Sequence, residues 1–271
     1  MQVTILGCGT STGVPVIHCT CAVCTSPLPE NNRTRASIFV TFHGKHFLID
    51  TATDLRAQAL RHNIPHIDAV LFTHPHADHI GGLDELRSFN FSQKKRIPLF
   101  GNHWSATEIP TRFAYIFKNT LNEGGGIPLL DFTEIKDPSQ PLYIQDVEIT
   151  PLPVKHGSQD CLGYRFGSLA YITDCSFIPN ETLDKMQDLD LLILDCLRLL
   201  PHPTHFNLEQ SLAVVNSVHP KKTILTHLGH EFDYARERIL LPENVYFAYD
   251  GMRENFSAVY SSLHNTVNPL P

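Results

Sequence analysis

The sequence predicts an α/β protein, one domain across residues 1–271, with helices covering a sheet or sheets. Three observations carry this expectation. Short β-branched apolar runs alternate with stretches of helical period along the whole chain. At 271 residues the chain can bury a sizeable core in one large domain. Its 42% hydrophobic and 18% charged residues are an ordinary globular balance.

The elements follow in order. Residues 3–9 (VTILGCG) read as a buried strand entering a glycine-rich turn. Residues 36–42 and 45–50 flank His43-Gly44, a hairpin signal. A short helix is expected over 54–62, capped by Thr53 or Asp54. Residues 69–73 (AVLFT) read as a buried strand, and 80–89 as a helix with Ile80, Leu83 and Leu86 on one face. Trp104 to Lys118 reads as a helix broken at Pro110, and Gly124-Gly125-Gly126 as a flexible turn. Strands are expected at 129–135, 142–150, 163–166, 169–173, 189–195, 223–226 and 245–249. Residues 207–218 read as a helix capped by Asn207, with Leu208, Leu212, Val215 and Val218 on one stripe. Residues 137–141 are the expected internal linker.

Composition excludes several classes. No apolar run reaches the length of a membrane span. The first residues, MQVTILGCGTSTGVP, lack a basic start followed by an apolar core, so no export signal is expected and the cytoplasm is the expected location. A net charge of −7 argues against a protein that coats nucleic acid. Seven cysteines, an odd number in such a chain, argue against a disulfide framework.

Sixteen histidines are many, and position decides which carry chemistry. The strongest signal is Thr73-His74-Pro75-His76-Ala77-Asp78-His79-Ile80-Gly81-Gly82, which starts where the 69–73 strand stops. His74 and His76, two apart in extended chain, point the same way. Asp78 and His79 open the next helix and project differently. Imidazole and carboxylate together suit Zn, Mn or Fe. Cys19, Cys21 and Cys24 form a second cluster. Three thiolates within six residues are natural ligands for a structural zinc, which needs a fourth group. His230, three residues after His227, is the candidate.

The first stretch resembles the HxHxDH signature of the metallo-β-lactamase superfamily. His156 in Val154-Lys155-His156-Gly157, Asp174 after Ala170-Tyr171-Ile172-Thr173, and His227 after Ile224-Leu225-Thr226 follow in that family's order. The resemblance implies a four-layer αββα sandwich with two metals at one edge of the two sheets. It implies that His74, His76 and His156 hold one metal, that Asp78, His79 and His227 hold the other, and that Asp174 bridges them. Asp50 ends its strand, either capping the 54–62 helix or, as the resemblance implies, hydrogen-bonding around the metal loop.

The cysteine cluster with His230 narrows the likeness. Together with Gly7–Pro15, His230-Glu231-Phe232-Asp233 and Asp250-Gly251-Met252, it resembles the PhnP family of cyclic-phosphate phosphodiesterases. That resemblance implies hydrolysis of a small cyclic phosphodiester, such as 5-phosphoribosyl 1,2-cyclic phosphate, in phosphonate breakdown. The implied metals are two Mn or Zn ions and one structural Zn, and the implied assembly is a homodimer. His205 is implied as the acid that protonates the leaving group, in preference to His202. Asp78 or Asp174 is expected to orient the nucleophile. No membrane or nucleic-acid partner is expected. Alternatives are a tRNA 3′-end nuclease of the same superfamily, a PqqB-like carrier without catalysis, and a glyoxalase II type thioesterase.

Overall fold

The structure, a computed structural model, describes residues 1–118 and 126–256. Gly124, Gly125 and the polar tail from Leu263 lie outside the described residues.

Two seven-stranded sheets face each other. The first contains β1 (Gln2–Gly7), β2 (Ser37–Phe42), β3 (Lys45–Ile49), β4 (Ala69–Leu71), β5 (Ile97–Gly101), β6 (Leu130–Glu134) and β14 (Arg253–Asn255), in the order β14-β1-β2-β3-β4-β5-β6. The second contains β7 (Leu142–Ile144), β8 (Val147–His156), β9 (Gln159–Phe166), β10 (Leu169–Ile172), β11 (Leu191–Asp195), β12 (Lys222–Thr226) and β13 (Val245–Phe247), in the order β13-β12-β11-β10-β9-β8-β7. In each sheet four successive strands are parallel, β3 to β6 and β10 to β13. Several of these strands are unbroken apolar runs because both of their faces are covered. The expected linker at 137–141 is where the chain leaves β6 in one sheet for β7 in the other.

Three apolar layers hold the stack. Val3, Ile38, Phe47 and Leu71 of the first sheet meet Ile149, Tyr164, Tyr171 and Ile224 of the second. On the outer face of the first sheet, Leu48, Val70 and Leu99 pack under α1 (Leu55–His62), α2 (Ala77–Ile80), α3 (Leu86–Gln93) and α4 (His103–Arg112) through Leu55, Ile80, Leu86 and Ile109. On the outer face of the second, Leu192 and Leu225 pack against Leu208, Val215 and Val218; those three belong to the helix Leu208–Val218. The result is the expected αββα sandwich.

Four local expectations change. Asp54 takes the N-cap position of α1, but its side chain makes no capping bond, because the carboxylate accepts instead from the Arg35 backbone N–H at 2.9 Å and from its guanidinium. The 80–89 helix is interrupted at Gly82, whose N–H leaves the helix direction to reach Thr51 O at 2.9 Å. A Cβ on Gly82 would lie 2.3 Å from Ala52 O, so only glycine allows this approach. α4 runs through Pro110 and stops at Phe113, before α5 (Ala114–Phe117). The 142–150 run is two strands with a turn at Gln145 and Asp146, both left-handed at φ 49° and 67°. No glycine advertised that turn, unlike His43-Gly44, where the hairpin formed as expected. α6 (Asn180–Asp184) and β14 had no sequence signal strong enough to be expected. Asn207 does cap its helix, α7, in a reciprocal pair with Gln210.

Candidate metal centre

The carboxyl ends of the parallel strands from both sheets meet at one edge, where such folds place their ligands. Asp50 follows β3, the His74 loop follows β4, Asp174 lies just past β10, Asp195 ends β11 and His227 follows β12. His156 ends β8. Asp50, Asp174 and His227 adopt left-handed backbone, at φ 63°, 50° and 59°. Such a conformation costs about 1–3 kcal/mol per residue and persists where the surroundings over-determine it.

His74, His76 and His156 bring three ring nitrogens together, with His74 Nε2 and His76 Nδ1 2.9 Å apart. Asp78, His79, Asp174 and His227 form a second buried set. Asp174 lies between the two. Its Oδ1 is 3.8 Å from His74 Nε2 and 3.3 Å from His227 Nε2, and its Oδ2 is 3.2 Å from His79 Nε2. The seven residues singled out in the sequence therefore share one site.

The donor set fits two cations. His79 Nε2 and both nitrogens of His227 are buried without a hydrogen-bond partner of good geometry. Unmated polar atoms at this depth are costly unless a metal takes them. Among the described residues, the ion-pair partners of Asp50, Asp78, Asp174 and Asp195 are imidazoles alone. Burial works to raise Asp78 and Asp174, but the His79 and His227 rings hold both below the usual carboxylate range. Burial works to lower His79, and the carboxylates of Asp174, Asp78 and Asp50 outweigh it and hold this imidazole well above its ordinary value.

Supporting bonds aim the rings. Asp50 accepts from the Thr73 N–H at 2.8 Å, the Thr73 hydroxyl at 2.7 Å and His79 Nδ1 at 2.8 Å. It caps no helix, which decides between the two readings of this residue. His156 Nδ1 donates to Thr204 O at 2.7 Å, which leaves Nε2 for a ligand role. His205 is buried beside the cluster, with its ring 4.8 Å from His227 and 4.6 Å from His156. Its Nε2 is 3.9 Å from Asp174 Oδ1. His202 lies one ring further out, 5.2 Å from His205. Burial works against the charged form of His205, yet Asp195 and Asp174 raise it to about 9.

Sequence reasoning missed the roles of four residues. Asp195 was visible only as an acid ending a buried strand. Its Oδ2 accepts from Cys175 N–H at 3.0 Å, Phe206 N–H at 3.1 Å and His205 Nδ1 at 3.3 Å. Trp104, the only tryptophan in the chain, stands edge-on to His76 at 5.3 Å and walls the site. Arg33 is 1% exposed and donates to Gly229 O at 2.9 Å and Phe232 O at 2.7 Å, clamping the segment that carries His230. Asp250 holds the first glycine-rich turn through Cys8 N–H and Thr34.

The cysteine site is separate. The Sγ atoms of Cys19, Cys21 and Cys24 lie 3.3, 3.6 and 3.5 Å from His230 Nδ1. Tetrahedral zinc, with bonds of about 2.3 Å to sulfur and about 2.0 Å to nitrogen, sets such pairs about 3.5 Å apart. The Cys24 N–H points at Cys21 Sγ and helps to lower that thiol to about 6, while burial raises Cys24 to about 11. Cys8, Cys161, Cys175 and Cys196 are buried core residues. No helix among the described residues is long and apolar enough to cross a membrane.

Comparison with known proteins agrees with this geometry. Residues 45–228 match the beta-lactamase superfamily domain. A solved diphosphatase of the PhnP family is 38% identical, covers 95% of this chain and 98% of its own, and superposes with a TM-score of 0.87. Zn(2+)-bound PqqB from Methylobacterium extorquens, 19% identical, shares the fold over 94% of this chain and 100% of its own with a TM-score of 0.76. An octanoyltransferase of Porphyromonas gingivalis is 36% identical over 255 residues, 93% of this chain. This chain spans only 51% of that relative's length, so the name describes a protein with a further half outside the match.

Proposed function

The chain belongs to the PhnP family of the metallo-β-lactamase superfamily, and from that premise we propose that it is a two-metal phosphodiesterase acting on a small, cyclic phosphodiester. The observation that carries the reading is Asp174 between two ligand clusters, with His205 Nε2 3.9 Å from its carboxylate. His74, His76 and His156 would hold one divalent ion and Asp78, His79 and His227 the other, with the Asp174 carboxylate lying between the two sets. Zn and Mn both suit this donor set. Cys19, Cys21, Cys24 and His230 would hold a structural zinc.

Two divalent ions so held would supply Lewis acidity and make water easier to ionise near neutrality. The protein's own groups do the rest. The attacking water gives one proton to solvent, and Asp78 or Asp174 accepts a hydrogen bond from the resulting hydroxide and aims it at phosphorus. As the new P–O bond forms, the ester P–O bond breaks and its electron pair leaves on the departing oxygen. His205 Nε2 gives that oxygen a proton. Asp195, bonded to His205 Nδ1 at 3.3 Å, fixes the ring so that Nε2 faces the cleft. Trp104 closes one side.

A second reading is hydrolysis of a diphosphate linkage, favoured by the diphosphatase of the same family at 38% identity. The same residues serve it, since only the leaving group changes. The deciding experiment combines metal analysis of the purified protein with assays on cyclic phosphodiesters, linear phosphodiesters, dinucleoside diphosphates and precursor tRNA. Fastest turnover of a cyclic phosphodiester supports the proposal, and fastest turnover of the diphosphate supports the second reading. Specific processing of the tRNA 3′ end, or binding without turnover, refutes both.

A further inference from the structure

Outside the two metal sites, one cluster is built like a third. His46 is the second residue of β3, and His66 and Asp68 belong to the loop that leads into β4. They lie at the amino ends of these strands, the end of the sheet opposite Asp50 and the His74 loop. His46 Nδ1 and His66 Nε2 are 2.9 Å apart, and Asp68 Oδ2 is 3.7 Å from the first and 3.3 Å from the second. Three atoms so spaced lie on a circle of radius about 1.9 Å, so a single point about 0.7 Å off their plane is 2.0–2.1 Å from all three, the bond length of zinc to nitrogen and carboxylate oxygen.

The cluster is held in place. Gln93 bonds both Ile67 N–H and Ile67 O, at 2.7 and 2.9 Å. The Asp68 N–H donates to His46 O at 2.8 Å, and the His46 N–H donates to Asp68 Oδ2 at 2.9 Å. Phe39 stacks on His46 at 5.5 Å. Asp68 is 5% exposed while the His66 side chain is 38% exposed, so the set is anchored on one side and open to water on the other.

We propose that His46, His66 and Asp68 form a further site for Zn²⁺ or a similar divalent transition metal, with water as the fourth ligand. Two imidazoles and one carboxylate with an open position are a common zinc donor set. Bound metal would join the start of β3 to the loop before β4. Lys95 bears on the affinity, because its ammonium sits 3.1 Å from Asp68 Oδ1, the oxygen facing away from the other two donors. A divalent ion and an ammonium roughly 6 Å apart in a water-like medium repel enough to weaken binding about tenfold.

The probe is Zn²⁺ alone, titrated into the purified full chain with its other sites filled. Wild type is expected to take up one equivalent more than His66→Gln by equilibrium dialysis and metal analysis, with hydrolytic activity unchanged by the substitution. Lys95→Gln is expected to tighten that equivalent about tenfold by removing the repulsion. Equal zinc uptake by wild type and a folded His66→Gln protein would overturn the proposal. Diffraction at the zinc absorption edge from soaked wild-type crystals decides it independently of any variant: a peak within bonding distance of all three atoms supports the site, and its absence at saturating zinc refutes it.

Discussion

Replacing Asp195 with asparagine isolates the charge behind the proposed acid. All three hydrogen bonds to the Asp195 carboxylate end on Oδ2, and Oδ1 faces His227 Nδ1 at 3.8 Å without a bond. An amide can place its oxygen where Oδ2 stands, so the three bonds survive without the charge. Charged hydrogen bonds are worth about 1.5–3 kcal/mol and roughly twice their neutral counterparts. Removing a buried carboxylate returns part of its desolvation cost, so the expected net loss of stability is about 1–3 kcal/mol. The catalytic loss should be larger. Without the anion, His205 no longer holds its proton through the reaction, and loss of a general acid lowers kcat by about 10²–10⁴, or about 3–5 kcal/mol. The assay compares a phosphodiester with an alkoxide leaving group and one with p-nitrophenolate, on protein of verified metal content. The alkoxide substrate should suffer the full loss and the nitrophenyl substrate under about tenfold, because nitrophenolate leaves without a proton. Equal losses on both substrates, or an unchanged kcat on the first, would refute this account.

Three more outcomes are expected. Gly157→Ala puts a Cβ 2.8 Å from Thr204 Cγ2 at a residue with φ 61°, next to the carbonyl that aims His156, so stability should fall by about 1–3 kcal/mol and the affinity for the metal at His156 should fall with it. Thermal melts and metal titration check both. Asp50→Asn leaves only one oxygen for Thr73 and His79, and metal affinity should drop about 10–100-fold in competition with a chelator. Cys21→Ser should cost one metal equivalent per chain and lower the melting temperature, because zinc binding free energy at such a site is folding free energy; full stoichiometry in that variant would count against the Cys3His site.

The site was legible in the sequence wherever its ligands are near neighbours along the chain. His74, His76, Asp78 and His79 come from one loop, and Cys19, Cys21 and Cys24 from another, so spacing alone exposed them. Asp50, Asp174 and Asp195 look alike in the sequence, each an acid at the end of an apolar run. The structure separates them: Asp50 aims His79, Asp174 lies between the two ligand sets, and Asp195 orients His205. Arg33 and Trp104 carried no pattern, because their roles come from partners about 30 to 200 residues away.

By itself, then, the chain's order of residues determined the layered α/β class, the two local ligand loops and the chemistry they can perform. Hydrophobic period and ligand spacing are short-range properties, written within ten residues. Tertiary structure alone decided that the helix after the HxHxDH loop breaks at Gly82, that the 142–150 run folds into two strands, and which strand-end acid serves which histidine. Those outcomes depend on how two sheets bring parallel strand ends from opposite halves of the chain to one edge, where a side chain's partner is set by packing and not by its neighbours in sequence.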